Sequence, residues 1–146
     1  MGTIKLPPDF KEFLRLLNSK RVDYLLIGGY AVGYHGYPRP TGDMDIWIAR
    51  TSKNAQRVVE ALAEFGFTCP AELLRQENQL VRMGVPPFRI EILTTIDGVE
   101  FSGCYAARLQ TLLDGVEVSL ISLSDLKVNK KASGRSKDIT DLENLP

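Results

Sequence analysis

The chain has 146 residues, of which 44% are hydrophobic and 25% are charged. This is the composition of a globular protein with one core, and it excludes a disordered chain, which carries too few apolar residues to fold. Eighteen basic residues balance eighteen acidic ones, so bulk charge gives no general attraction to nucleic acid. No run reaches about 18 apolar residues, so no membrane span is expected. With two cysteines and no secretory signal, the expected location is the cytoplasm.

The first half of the chain predicts helices alternating with strands. Apolar residues at helical spacing predict a helix over Asp9–Lys20. The apolar run Tyr24–Ile27 predicts a buried strand that ends at a tight turn, Gly28-Gly29. The other elements predicted in this half are a short helix over Ala31–Gly36, a loop over Tyr37–Gly42, a strand over Asp43–Ala49, and a helix over Lys53–Phe65 with Ser52 as N-cap and Gly66 at its end.

The second half predicts mainly strands, followed by helices. Asp114-Gly115 is a hairpin signal between strands over Arg108–Leu113 and Val116–Ile121. Together the two halves predict a single α+β domain over residues 1–146, with a mixed β-sheet flanked by helices. The other elements predicted in this half are a short helix over Ala71–Gln76, strands over Gln79–Met83 and Arg89–Thr94, a turn at Asp97-Gly98, a helix that Ser122 caps and Gly134 interrupts, and a last helix over Lys137–Leu145.

Three carboxylates stand out in the predicted strands. Asp43 and Asp45 are two residues apart at the start of a strand, so both side chains point to one face. Such a pair repels unless a cation lies between its members, and an oxygen-rich pair suits Mg²⁺ or Mn²⁺. Glu91, between Ile90 and Ile92, points off the apolar face of another strand and is the candidate third ligand of a two-metal site. Taken singly, each carboxylate is more often a solvated surface group, so only the combination favours a site.

Two further features are candidates for binding phosphate. Gly28-Gly29 follows a strand and precedes a predicted helix, where free backbone amides can cradle an anion, although a plain strand–turn–helix has the same pattern. The second feature is a basic stretch near the C-terminus, which is either a solvated helix face or a local anion site. It contains Lys127, Lys130, Lys131, Arg135 and Lys137.

The order of these motifs resembles the nucleotidyltransferase superfamily, the fold of DNA polymerase beta and of the aminoglycoside and lincosamide nucleotidyltransferases. Gly28-Gly29 is followed, after thirteen residues, by the Asp-x-Asp pair at positions 43 and 45, and later by the strand carboxylate Glu91. The segment from Arg39 to Ile46 resembles the Arg-x-Thr-x-Asp-hydrophobic-Asp signature of the abortive-infection (AbiEii-like) branch. The segment from Asn129 to Leu142 is similar to the C-terminal motif of that branch.

The resemblance implies a reaction in which a hydroxyl of an acceptor attacks the α-phosphorus of a nucleoside triphosphate and pyrophosphate leaves. It implies that Asp43, Asp45 and Glu91 are the catalytic carboxylates and hold Mg²⁺ or Mn²⁺. The acceptor would be RNA, a protein or a small molecule, and a toxin-like or tRNA-modifying role is favoured over an antibiotic-modifying one. The residues implied to bind the nucleotide are Gly28, Gly29, Arg39, Thr41, Lys130 and Asp138.

A second hypothesis belongs to a different class: a nucleotide-binding or regulatory module with a degenerate site. It is motivated by Gly-Gly where the superfamily usually has Gly-Ser, by Glu91 where Asp is usual, and by the chain ending eight residues after Asp138. This hypothesis predicts binding without turnover, or a partner chain, such as an antitoxin or second subunit, that completes the site.

Four other residues keep two interpretations. Arg39 either reaches the nucleotide or pins its loop to Asp43. Trp47 shares the face of the two aspartates, and core packing is favoured over lining the site. His35, the only histidine, is favoured as a hydrogen-bonding group rather than a ligand. Asp141 is expected either behind the residues that contact the nucleotide or on the helix surface.

Overall fold

A six-stranded mixed sheet, flanked by helices, is the centre of the computed structural model, which describes residues 4–146. Met1–Thr3 lie outside the described residues, and the predictions of a domain over 1–146 and of an N-terminus without a secretory signal include them. The predicted α+β class is confirmed. None of the described helices is both long enough and apolar enough to cross a bilayer.

The described residues form six strands and seven helices, and their bounds are as follows. The strands are β1 (Tyr24–Ile27), β2 (Asp43–Ile48), β3 (Leu80–Val85), β4 (Phe88–Leu93), β5 (Leu109–Leu113) and β6 (Val116–Leu120). The helices are α1 (Pro8–Ser19), α2 (Gly28–Tyr34), α3 (Ser52–Phe65), α4 (Ala71–Leu74), α5 (Phe101–Ala106), α6 (Leu123–Ser133) and α7 (Ser136–Asn144).

The strand order β3-β4-β2-β1-β6-β5 places β2 and β1 at the centre of the sheet. The hairpins β3–β4 and β5–β6 are antiparallel, as is the pair β1–β2, whereas β4 runs parallel to β2 and β6 parallel to β1. At the β5–β6 turn, Asp114 and Gly115 both have positive φ, the backbone that a tight two-residue hairpin requires. The predicted hairpin is therefore confirmed.

The two faces of β2 have opposite character because strand side chains alternate. Met44, Ile46 and Ile48 are fully buried in the core. Asp43 and Asp45 point to the other face and are only half-buried. One face of β2 therefore packs into the core, while the opposite face presents Asp43 and Asp45 near the start of the strand.

Most predicted element ends lie within one or two residues of the structure, and three differences concern how an element begins or whether it was predicted. α2 begins at Gly28 rather than Ala31, so Gly28-Gly29 forms its first turn instead of a separate turn before it. The N-cap of α3 is Thr51, whose side chain accepts a hydrogen bond from the Asn54 backbone N–H at 3.2 Å, and not Ser52. α5 was not predicted, because a six-residue segment containing a glycine carries too weak a helical pattern.

Candidate active site

The three predicted carboxylates lie on one face of the sheet. In the parallel register of β2 and β4, Asp45 stands directly opposite Glu91, and Asp43 stands opposite Arg89. Burial, together with the nearby charges of Glu91 and Asp43, raises the pKa of Asp45 to about 7. The centre of the carboxylate group is thus short of positive charge.

Two arginines that sequence reasoning missed hold the outer carboxylates. Arg89 donates from Nε and Nη2 to the two oxygens of Asp43, at 3.2 and 3.1 Å. Arg82, across the β3–β4 hairpin, donates from Nε to Glu91 Oε2 at 2.9 Å. Among the described residues, Asp45 has no ion-pair partner. The signal in the sequence for Arg89 was its spacing, because Arg89 precedes Glu91 by two residues and therefore shares its face of the strand.

The glycine pair lies against this group because only glycine leaves room there. Gly28 has a φ of +70°, and a Cβ at this position would overlap Asp45 Oδ2. A Cβ on Gly29 would overlap the Oγ1 atom of Thr41. The space that a side chain at position 29 would occupy therefore holds the hydroxyl of Thr41, which donates a hydrogen bond of 3.5 Å to the Asp43 carbonyl.

A charge network with a buried centre, called the buried charge network below, faces the carboxylates from the helical side. Its buried members are Lys130, Asp138 and Asp141, while Arg39 is half-buried and Arg135 is exposed. Lys130 Nζ lies 3.1 Å from both Asp138 Oδ1 and Asp141 Oδ2. Arg39 donates two bonds of 2.8 Å to the two oxygens of Asp141, and Arg135 Nε donates one of 2.8 Å to Asp138. Arg39 thus pins its loop to α7, not to Asp43.

The two aspartates of the network are ionised although they are buried. Asp138 is 0% and Asp141 1% exposed. Burial alone would raise the pKa of each carboxyl, but hydrogen bonds from Arg135 and Lys130 to Asp138, and from Arg39 and Lys130 to Asp141, outweigh it and hold both pKa values below the ordinary range. Asp141 therefore lies behind the cations rather than on the helix surface.

A cleft of about 630 Å³ separates the carboxylates from the network. Arg39, Lys130 and Arg135 line it, together with Lys137, whereas Asp138 lies behind Lys130. The arrangement gives the cleft one acidic wall and one basic wall. Eight of the nine predicted site residues line it: Gly28, Gly29, Arg39, Thr41, Asp43, Asp45, Glu91 and Lys130.

Two of the residues with open interpretations lie away from the cleft. His35 Nε2 is 2.8 Å from the Ile121 carbonyl oxygen, which fits the favoured hydrogen-bonding interpretation. Trp47 is 2% exposed and packs edge-on against Phe101, with ring centroids 5.1 Å apart, as expected for core packing.

The chemistry of the acidic wall suits a hard divalent cation. Its donors are all carboxylate oxygens, the ligand type of Mg²⁺ and Mn²⁺. The raised pKa of Asp45 marks the place where positive charge is missing. Within residues 4–146, however, no three His, Cys, Asp or Glu side chains are arranged to hold a metal ion. In this structure Arg89 and Arg82 each bind one of the carboxylates.

An α+β fold with clustered strand carboxylates, a glycine pair and a basic wall is the architecture of a nucleotidyltransferase. Residues 8–145 match a family described as "Nucleotidyltransferase of unknown function (DUF6036)", and the chain belongs to that family. This confirms the superfamily that the motifs resembled.

The fold is also similar to a crystal structure of a candidate nucleotidyltransferase from Thermotoga maritima. The TM-score is 0.62 at 13% identity, over 96% of this chain and 94% of that one. At this identity the similarity shows the fold alone. No curated protein matches the chain.

Proposed function

We propose that the protein transfers a nucleoside monophosphate from a nucleoside triphosphate to a hydroxyl group of an acceptor and releases pyrophosphate. The observation that carries the proposal is the meeting of Asp43, Asp45 and Glu91 on one sheet face, directly across the cleft from the cations of the buried charge network. An acidic wall and a basic wall suit a substrate that is itself polyanionic and enters with a cation.

The acidic wall would hold the cation. Asp43, Asp45 and Glu91 would bind Mg²⁺ or Mn²⁺, which when bound supplies neutralisation of phosphate charge. When the cation binds, Arg89 would move away from Asp43, and Arg82 would move away from Glu91. Each arginine stays on the sheet face that borders the cleft, so its charge remains available to an anionic group.

The opposite side of the cleft would bind the triphosphate. Lys130 and Arg39 line the cleft as cations held in fixed positions by Asp138 and Asp141. Preorganised charges of this kind require little rearrangement when the substrate binds. The Thr41 hydroxyl, beside Gly29, supplies a donor at the place where the superfamily usually has a serine.

The transfer step needs a base and an attack in line with the leaving group. Glu91 would take the proton of the acceptor hydroxyl as its oxygen forms a bond to the α-phosphorus. The bond from the α-phosphorus to the oxygen bridging to the β-phosphate then breaks, and pyrophosphate leaves with that oxygen. The base must lie within hydrogen-bond reach of the hydroxyl.

We further infer the biological setting from the AbiEii-like motifs alone. They favour a cytoplasmic toxin-like or tRNA-modifying enzyme, with RNA, a protein or a small molecule as acceptor and an antitoxin or second subunit as possible partner. An antibiotic-modifying role is the second choice within the same chemistry.

Calorimetry with all four nucleoside triphosphates, with and without Mg²⁺, tests binding. We expect metal-dependent binding to the wild type that Asp43→Ala abolishes. Asp9→Ala is the matched control, because Asp9 is an exposed carboxylate on α1. An α-labelled nucleotide then reports transfer, which Asp45→Ala should eliminate; transfer that persists in Asp43→Ala and Asp45→Ala would overturn the proposal.

One observation favours a second candidate, a nucleotide-binding module without turnover. Two of the three carboxylates are already paired with Arg89 and Arg82, and these pairs would persist if the site no longer binds metal. This candidate predicts nucleotide binding that does not depend on Mg²⁺ and no label transfer to any acceptor.

A further inference from the structure

The strand β5 forms an open edge of the sheet. It pairs only with β6, so the backbone N–H and C=O groups on its outer side have no strand partner among residues 4–146. Two of its leucines are exposed, Leu109 to 38% and Leu112 to 63%. An edge strand with free backbone groups and apolar side chains is a template for pairing with a further strand.

This edge lacks the features that usually protect an edge strand. Its residues, Leu109–Leu113, include no charge, no proline and no glycine. The opposite edge, β3, has such features, because it carries Arg82 and a glycine, Gly84, with a φ of +89°, and Pro86-Pro87 follow it. Charges, backbone irregularities and prolines discourage edge-to-edge pairing. Of the two edges, β5 is therefore the one suited to pairing.

The two-residue hairpin turn determines which backbone groups of β5 face outward. Pairs in an antiparallel ladder alternate between hydrogen-bonded and non-hydrogen-bonded, and the pair that closes a two-residue turn is hydrogen-bonded. Leu113 closes the turn, so the backbone groups of Thr111 also point to β6, whereas those of Gln110 and Leu112 point outward. A strand added outside β5 would therefore bond to Gln110 and Leu112.

The sequence of the edge is complementary to itself about Thr111. In an antiparallel pair centred there, each residue of one copy faces the residue that lies equally far on the other side of Thr111 in the second copy. The facing pairs are Gln110 with Leu112, Leu109 with Leu113, and Arg108 with Asp114. In this register the outward backbone groups bond to each other, apolar residues face apolar residues, and opposite charges meet at both ends.

The charged residues at the two ends are available for this contact. Arg108 is half-buried and forms no ion pair within the described part of the chain; its guanidinium lies 3.8 Å from the centre of the Tyr105 ring. On Asp114, the backbone N–H of Leu6 and the ammonium of Lys11 both contact Oδ2, at 3.0 and 3.6 Å. The other oxygen, Oδ1, can therefore accept from a second copy.

We propose that β5 is the contact surface of a homodimer, in which two copies join antiparallel through this strand into one continuous sheet. The occupant of the edge is a second copy because residues equally far from Thr111 match each other in character and in charge. A strand from a different protein would not require this symmetry. The inference is independent of the proposed function, since β5 lies three strands away from β2.

Sedimentation over a range of protein concentrations tests the dimer. We expect a concentration-dependent dimer that Leu112→Lys weakens about tenfold or more, because a charge replaces an exposed leucine near the centre of the contact. Leu80→Lys is the matched control. It places the same charge at an exposed leucine on the opposite edge strand, β3, and should leave the dimer intact.

Disulfide cross-linking tests the register. In the proposed pairing, Thr111 faces its own copy as a non-hydrogen-bonded pair, whose Cα atoms lie about 4.5 Å apart, within the range that a disulfide spans. Thr111→Cys should therefore form a covalent dimer under mild oxidation. Leu80→Cys should not, and the native Cys69 and Cys104 are buried.

Three results would overturn the proposal. A wild type that remains monomeric at every concentration would leave the edge to a strand of a different protein. A dimer that Leu80→Lys dissociates and Leu112→Lys does not would place the contact at β3. A dimer that Thr111→Cys fails to cross-link would contradict the antiparallel register. None of these results affects the proposed function, which nucleotide binding tests separately.

Discussion

Asp45 combines three features at a single residue: it is half-buried in the acidic wall, lies opposite Glu91, and has no ion pair in the described part of the chain. Its pKa of about 7 follows from burial first and from its acidic neighbours second. A carboxyl that holds its proton to near neutrality links the stability of the fold to pH.

The folded protein binds the Asp45 proton more tightly than the unfolded chain, whose aspartate titrates near 4. The contribution of Asp45 to the free energy of unfolding should therefore be largest below about pH 4 and decrease as pH rises toward about 7. Asp45→Asn removes this titration. Between pH 5 and pH 8, in chelator, we expect the variant to lose about 2 kcal/mol less than the wild type in urea unfolding.

Asp9→Asn, which removes an exposed carboxylate, is the control and should follow the wild type. Equal pH dependence in Asp45→Asn and wild type would show that Asp45 is ionised throughout this range.

The buried charge network joins separate elements. Through Asp141, the loop before β2 is attached to α7 by Arg39, and α7 is attached to α6 by Lys130. Buried ion pairs contribute little compared with a well-packed apolar core, but removing one partner leaves the others buried without compensation. The network therefore positions the cations of the basic wall and makes them costly to displace.

Asp141→Ala should lower the free energy of unfolding by about 3–5 kcal/mol, because Lys130 and Arg39 lose a partner that is 1% exposed. Glu64→Ala breaks the surface pair with Lys20 and should cost at most about 1 kcal/mol. Chemical denaturation of both variants measures the difference. Similar small losses of unfolding free energy in the two variants would mean that the network stabilises the fold no more than a surface ion pair does.

Local patterns were enough to predict most elements and the carboxylate face. Strand alternation placed Asp43, Asp45 and Glu91 correctly off the apolar face, and the Asp114-Gly115 hairpin followed from turn chemistry alone. α5 escaped prediction because it depends on a tertiary contact, the packing of Phe101 against Trp47. Such a contact leaves no periodic signal in six residues.

The partners of the carboxylates could not be predicted for a different reason. Arg89 lies opposite Asp43 only because β4 pairs in parallel with β2, a strand that is not its neighbour in sequence. Asp141 contacts Arg39 across 102 residues of chain. Each residue type was visible in the sequence, but the register and the helix packing that bring them together are properties of the whole fold.

At the scale of the whole molecule, a net charge of zero conceals a strong separation of charge across the cleft. Arg89 compensates the acidic wall from its own side by holding Asp43. A divalent cation would have to compete with this arginine for the same oxygens. The proposed metal site therefore implies that the ion pair between Arg89 and Asp43 lowers the affinity of the acidic wall for a metal ion.

Arg89→Gln should lower the melting temperature of the metal-free protein, because Asp43 loses its partner, and should increase the stabilisation that added Mg²⁺ or Mn²⁺ gives. Ligand that binds only the folded state stabilises it in proportion to the logarithm of its concentration over Kd. We expect Mg²⁺ to bind the variant about three- to tenfold more tightly, since a competing positive charge has been removed. Thermal unfolding across a Mg²⁺ titration measures this, with Arg15→Gln on the exposed face of α1 as control. Identical Mg²⁺ responses in wild type and Arg89→Gln would mean that Asp43 is not a metal ligand and that its pairing with Arg89 is the permanent state of the wall.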